Sequence, residues 1–423
     1  MGPGHSHSID AEAADVEVSP TARIVLIVAL ALVALGTVVG LVRLWPDHSP
    51  TVDEASNQFV APGVTFHGLK VEHVQKPCKV NANGEPVSDP SAPGPPTCGQ
   101  VIGTLESGDR EGKRVTIQVA PEVSTSGLRD GDTIQVMQTP PGHGAPATFS
   151  FFSVERDLPI GILAGLFVLV VALVARLRGL LALVGLGISG YVLVKFMLPA
   201  LLLGSSGLAV AVVGSSAIMF VVLYLAHGVS IRTSAALAGT LAGVGLTAVI
   251  GVVAIGEARL SGIADETGAL LSGFVTDLDF QGLLTCAVIV AGLGILNDVT
   301  ITQASAVWEL RGAAPDLDRR ALFTRAMRIG RDHIASTIYT IVFAYAGAAL
   351  SVLLLLYFYA RPIVSLMSTE QIAEEIIRTL ASGIGLVLAV PITTAIATMT
   401  VGAPRAPGSR RRRRSRSVQD NDW

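Results

Sequence analysis

The sequence predicts an all-α polytopic membrane bundle, about eight helices, that carries a small extracytoplasmic β domain. Three observations lead there. Half of the 423 residues are hydrophobic and only 15% are charged, against about a quarter charged in soluble domains. The apolar residues come in long blocks rather than at amphipathic spacing. A single long polar stretch of alternating pattern interrupts these blocks near the N-terminus. Three cysteines in the whole chain are too few for a disulfide scaffold, and the apolar content excludes a disordered chain.

The elements follow in order. Residues 1–22 are an acidic tail with Asp10, Glu12, Asp15 and Glu17 and no Lys or Arg. A cleavable signal needs a positive n-region, so the first apolar block, Ile24–Leu44 within residues 23–45, is expected to be a retained anchor. Residues 46–156 form the extracytoplasmic domain, large enough to fold alone. Alternating stretches at Val64–Val74, Gln100–Leu105, Arg114–Val119, Thr133–Met137 and Thr148–Val154 predict five short strands, closing as a barrel or a sandwich, with an OB-like barrel among the candidates. Asn81–Thr97, with five prolines, reads as an exposed loop. Cys78 and Cys98 flank it on the oxidising side, where a structural disulfide is expected to close it.

Residues 157–401 carry the remaining seven blocks of roughly span length: Leu158–Ala175, Leu180–Leu203, Leu208–Ala226, Ala235–Ile255, Leu283–Thr302, Ile334–Tyr359 and Ile376–Val401. Only Arg176, Leu177 and Arg178 separate the first two of these. Residues 402–423 are an arginine-rich tail containing Arg405, Arg410 to Arg414 and Arg416. Lys and Arg are enriched in cytoplasmic connections. A cytoplasmic N-terminus puts Arg176, Arg178, Arg232, the six arginines from Arg311 to Arg331 and the terminal run inside. Both termini are therefore expected to be cytoplasmic, in a plasma-membrane protein.

An ionisable residue inside a span is a functional hypothesis by default. Apolar sequence before Asn297 reaches back only to Leu283, so the helix must continue past Asp298 to cross the bilayer. At 100° per residue, Asp298, Thr302, Ser305 and Glu309 fall within a stripe about 60° wide. The next helix carries His333, Ser336, Thr337 and Thr340 in a matching line. The two stripes can face each other and make a hydrated path to Asp298. Desolvation raises the pKa of a carboxylate held in a bilayer, so such a group can take up and release a proton during a transport cycle. The proton-coupling candidates are Asp298, Asn297, Thr302, Gln303, Glu309, His333, Ser336, Thr337 and Thr340. Gly161/Gly165, Gly239/Gly243 and Gly383/Gly385 are expected to be close-approach faces for helix packing, and Cys286 a packing residue.

No nucleotide-binding loop, metal-ligand spacing or nucleophile–base pair occurs, and His5 and His7 are too few for a metal site. The sequence thus predicts no enzyme, cofactor or metal. The expected partners are the bilayer, anionic headgroups at Arg410 to Arg416 and along the 311–331 loop, where Asp316 to Arg331 can form an amphipathic helix lying on them, and a further copy or a secretion or envelope partner. No specific nucleic-acid binding is expected.

With these elements in order, the chain resembles the YibE/F family of multi-pass membrane proteins. The resemblance rests on one anchor, an outside β domain and seven further spans, together with Gly294-Ile-Leu-Asn-Asp298-Val-Thr-Ile-Thr-Gln303-Ala-Ser-Ala-Val-Trp308-Glu309-Leu and Arg331-Asp-His333-Ile-Ala-Ser336-Thr-Ile-Tyr-Thr340. It runs from about Arg23 to Val401 and implies a membrane location. The stretch around Asn297-Asp298 is also similar to the fourth-helix signature of SecF and its RND-superfamily relatives, which implies a proton-coupling role for Asp298 and, more loosely, Asn297. The chain departs from that pattern by two additional spans and by an outside domain without large α+β character. These readings converge on a proton-coupled permease or export-accessory protein. The alternative is a non-transporting scaffold whose outside domain binds a partner or envelope component.

Overall fold

The structure, a computed structural model, describes residues 16–46, 63–75, 99–140, 147–275, 278–358 and 362–404. Cys78, Cys98 and the terminal arginine run lie outside the described residues. The chain divides into two compact units, Thr51–Val170 and Met1–Pro50 with Val171–Trp423.

The first unit contains a five-stranded antiparallel sheet: β1 (Thr65–Gln75), β2 (Gln100–Leu105), β3 (Arg114–Gln118), β4 (Thr133–Thr139) and β5 (Thr148–Val154), in the order β3-β2-β1-β4-β5. A one-turn helix, α2 (Pro121–Thr125), lies between β3 and β4. Each strand alternates, as the sequence pattern requires. Leu69, Val71, Val101, Leu105, Ile117, Val119, Ile134 and Val136 are buried together on one face. Register breaks at Val71/His73 and at Gln135/Val136 add local twist. The sheet curls until β3 approaches β5.

The second unit is a helix bundle. α1 spans Pro20–Leu44, with proline in its first turn, where a missing N–H costs nothing. α3 (Asp157–Val192) begins in the first unit and continues into a π-helical turn at Leu193–Met197 and α4 (Leu198–Leu202). Then follow α5 (Gly207–His227), α6 (Ile231–Glu257), the short α7 (Glu266–Phe274), α8 (Phe280–Ala313), α9 (Arg319–Ala348), α10 (Leu350–Phe358), the one-turn α11 (Ile363–Met367) and α12 (Glu370–Thr400).

Among the described residues, six helices are long and apolar enough to cross a membrane. The pair α9 and α10, bent by 65°, makes a seventh when taken as one broken span. The sequence expectation of eight differs at one place, because Asp157–Leu202 runs as a single 46-residue apolar helical stretch. Within it Arg176 has φ 53 and ψ −141, a non-helical conformation at the point where the arginines interrupt the apolar run.

Three helices, α6, α8 and α12, pack most closely against one another. Residues of small volume set the contact between α6 and α12. Gly239 abuts Thr393, Gly243 abuts Ala389, and Thr247 abuts Gly385. These are four-residue steps that run in opposite directions, so the helices are antiparallel and close at small-xxx-small positions. Gly161, Gly165 and Gly383 have open space where a Cβ would stand, so these expected packing faces are not contact points here. Cys286 is buried and free, within the apolar cluster.

Within residues 311–331 the amphipathic helix expected over Asp316 to Arg331 forms from Arg319 onward. Only residues 314–318 connect α8 to α9, because the Asp318 carboxylate accepts the Ala321 N–H (2.6 Å) and starts the next helix. Its amphipathic first turns bury Leu322, Ala326 and Gly330 and leave Arg319, Arg320, Arg325, Arg328 and Arg331 outward. Arg311 is 5% exposed and donates to the carbonyls of Pro315 (3.1 Å) and Leu317 (2.7 Å). It folds the connection rather than facing solvent.

Candidate functional site

The segment that carries Asn297 and Asp298 lies in the second half of α8. Its height in the bundle follows from two contacts. Gly207, at the start of α5, abuts Gly282 near the start of α8. Asp298 is then about 24 Å along α8 from that level and His227 about 30 Å along α5, at the usual helical rise. Asp298 thus sits roughly one turn short of the end of α5. Asp298, Arg232 and Arg178 all lie within electrostatic reach of His227. That grouping is local sequence logic made spatial. α5 stops at Gly228 (φ 77), and α6 restarts at once with Ser230 capping the Thr233 N–H (3.1 Å), so His227 and Arg232 stay on one tight turn.

Around Asp298, α8 shows two different faces. Asp298 and Glu309 are exposed, and Thr302 is half-buried with its hydroxyl donating to the Asp298 carbonyl (2.6 Å). On α9, His333, Ser336 and Thr340 are exposed and Thr337 half-buried. Thr337 donates to the His333 carbonyl (2.8 Å) and Thr340 to that of Ser336 (3.2 Å). The three threonine hydroxyls of the two predicted stripes are therefore tied to their own helix backbones. An apolar groove of about 300 Å³ does lie along α9 and α12, lined by Ile341, Leu380, Gly383 and Ile384 among others. It is away from Asp298.

The opposite face of the same turns is buried and polar. Gln303 is 1% exposed, and its Nε2 donates to the Ala326 carbonyl of α9 (3.0 Å) and to the Thr394 hydroxyl of α12 (2.7 Å). One side chain thus joins three helices. The hydroxyls of Thr240 and Thr300 meet at 2.6 Å between α6 and α8. Asn297 is half-buried with its Oδ1 shielded and without a partner, as are the hydroxyls of Ser215, Thr247 and Thr398. Ser382 donates to the Val288 carbonyl (3.3 Å) further along. Together these make a discontinuous polar seam through the interior of α6, α8 and α12.

Sequence reasoning found Asn297, Asp298, Thr302 and Gln303 but not Thr240, Thr247, Ser382, Thr393 or Thr394. A usable signal exists for the latter. On α6 and α12 the threonines recur at the three- and four-residue spacing of the glycines, which marks a single face. Among the described residues no group of three or more His, Cys, Asp or Glu is placed to hold a metal ion.

The similarity of the chain to known proteins is confined to one finding. The family described as YibE/F-like protein matches residues 163–403, more than half of the chain, and the matched region includes Asp298 and the whole seam. No curated protein and no solved structure matches, so the similarity to SecF and RND-type helices gains no support. On the extent of that match the chain belongs to the YibE/F-like protein family.

Proposed function

We propose that this integral membrane protein is a proton-linked permease or the proton-driven part of an export system, with Asp298 as its coupling carboxylate. The observation that carries the reading is the two-faced turn of α8. Asp298 lies in electrostatic reach of His227, as Arg178 and Arg232 do from their own sides, while Asn297, Thr300 and Gln303 of adjacent positions enter the buried seam. Protonating Asp298 removes its negative charge from beside His227 at the end of α5. The ends of α5 and α6 can then shift against α8, which is the element whose other face holds the bundle together. Thr302, Thr337 and Thr340 serve as hydroxyl neighbours once they turn from their own carbonyls. No covalent chemistry is asked of the chain.

The same proposal includes eight spans, with both termini cytoplasmic and the curled sheet, of OB-like type, on the extracytoplasmic side of the plasma membrane. Strand order and the helix between β3 and β4 support the OB-like reading. Support for the span count comes from the bundle alone. The start of α1 meets the end of α12, through the Ser19 N–H to the Thr400 carbonyl (2.9 Å) and a Val18–Val401 bridge. α1 runs antiparallel to α5, with Gly40 near its end against Val213 near the start of α5. α5 in turn runs antiparallel to residues 179–202, with Gly185 near Val222 and Met197 near Gly214. α1 and residues 179–202 therefore run the same way, and the chain has to cross back once between them. Residues 157–175 are the apolar stretch that can do so.

A second reading, a scaffold that does not transport, is favoured by one feature of the sheet. Phe66 and Phe152, 43% and 55% exposed, meet at a 60° tilt with centroids 4.7 Å apart on its surface, and exposed aromatic pairs are common at interaction sites. Reconstituted vesicles under an imposed pH gradient separate the two. The permease reading expects proton flux in the wild type and its loss in folded Asp298→Asn. Flux that persists unchanged in Asp298→Asn removes Asp298 from the mechanism.

A further inference from the structure

At the end of the bundle opposite Asp298, α12 opens with three glutamates in six residues, Glu370, Glu374 and Glu375, followed by Arg378. Two of the three are accounted for. Glu370 Oε1 accepts the Ser261 N–H (2.5 Å) and hydroxyl (2.9 Å), tying α12 to the segment after α6. Glu375 pairs with Arg378 at 2.6 Å. Glu374 is different. It is 7% exposed, and its Oε1 is shielded and has no hydrogen-bond partner.

The surroundings give that oxygen little compensation. Ala373, Ile377 and Ala381 on either side pack into a cluster with Ile255, Leu260, Leu284 and Val288 from the ends of α6 and α8. The charges that act on Glu374 are Arg378, Glu370 and Glu375 of its own helix and Asp265 at the start of α7. Asp265 is engaged as a cap, accepting the Gly268 N–H (2.7 Å). From α9, Tyr345 lies in reach of Arg378 and Glu375. Three of the four charged neighbours are thus carboxylates, and the cation is already paired with Glu375. A carboxylate with one oxygen shielded and unpartnered is costly in a span, and the cost falls when it is protonated.

We propose that Glu374 is a proton-binding site at the outer end of α12, on the same helix face as the seam. At 100° per residue, Glu374 shares a stripe about 100° wide with Ser382, Gly385, Ala389 and Thr393, the residues through which α12 meets α6 and α8. The site deepens the permease reading by giving the seam a titratable carboxyl at each end. Asp298 is near one end and Glu374 near the other.

Dicyclohexylcarbodiimide tests this without any flux, because it adds to protonated carboxyls in apolar surroundings. The full chain in lipid vesicles is treated across a pH series, and the peptide holding residues 370–378 is mapped by mass spectrometry. Glu374 is expected to carry the adduct at low pH, with labelling falling to background as pH rises. Glu370 and Glu375 are expected to stay unmodified, and Glu374→Gln to lose the adduct from this peptide. Absence of an adduct at Glu374 at every pH overturns the proposal, as does labelling confined to Glu370 or Glu375. Protection by sodium at constant pH overturns the proton as the ligand. Because labelling is read in the wild type, a misfolded variant does not blunt the test. A chain that labels at Glu374 but shows no flux keeps this site and loses the transport reading.

Discussion

Gly385→Leu is expected to destroy the folded bundle, whereas Gly383→Leu, two residues away on the same helix, is expected to leave it intact. A Cβ at 385 would run into the Thr247 hydroxyl and stand 3.2 Å from the Thr247 Cβ and 3.4 Å from the Gly243 carbonyl. Neither neighbour can move away, since both belong to the facing turn of α6. A leucine there must separate α6 from α12, at a cost of about 3 kcal/mol or more. Position 383 has nothing within 4 Å and borders the apolar groove, where a leucine finds room. Thermal unfolding in detergent, followed by size-exclusion, reads both. Equal behaviour of the two variants would mean that the α6–α12 contact does not hold the bundle.

The second large effect is expected at Gln303. Gln303→Ala removes both hydrogen bonds that join α8 to α9 and α12. Interhelical hydrogen bonds in membrane proteins contribute about 0.6 kcal/mol on average. The cavity left by the truncated side chain adds to that, for a total of about 2 kcal/mol. Gln303→Leu keeps most of the volume and is expected to cost less. Its branched end lies against Gly330, however, which packs directly on the Gln303 amide, so some strain remains. If the leucine variant proves less stable than the alanine variant, packing rather than hydrogen bonding dominates at this position.

Much of the architecture is legible in the residues because it rests on single-residue hydropathy. The five strands follow from alternation, and each lies within a residue or two of its expected span. The apolar blocks became helices for the same reason. What remained hidden depends on partners. Gly383 and Gly385 look alike in sequence, and only the position of α6 makes one indispensable. Thr302, Thr337 and Thr340 show the right periodicity, yet their hydroxyls bond their own backbone. Gln303, by contrast, is a polar residue in an apolar run whose place at a three-helix junction no periodicity announces. Glu374 was passed over because the apolar block is counted from Ile376, which makes the preceding glutamates look like a solvated flank. The helix in fact starts at Glu370 and turns the middle one inward. By contrast, the amphipathic helix expected over Asp316 to Arg331 is legible in its spacing, and the structure starts it at Arg319, capped by Asp318, and runs it on to Ala348.

The proposed eight-span arrangement requires residues 157–202 to cross the membrane twice, with Leu177 on the side of the two termini and the sheet on the other. Single cysteines at Leu177, beside the non-helical Arg176, at Thr116 on β3, and at Gln419 in the C-terminal tail test this most directly, with a membrane-impermeant thiol reagent applied to intact cells and to opened membranes. Position 116 is expected to react in intact cells, and positions 177 and 419 only after opening. Position 177 reacting together with 116 in intact cells, while 419 stays protected, would contradict the double crossing and with it the eight-span arrangement.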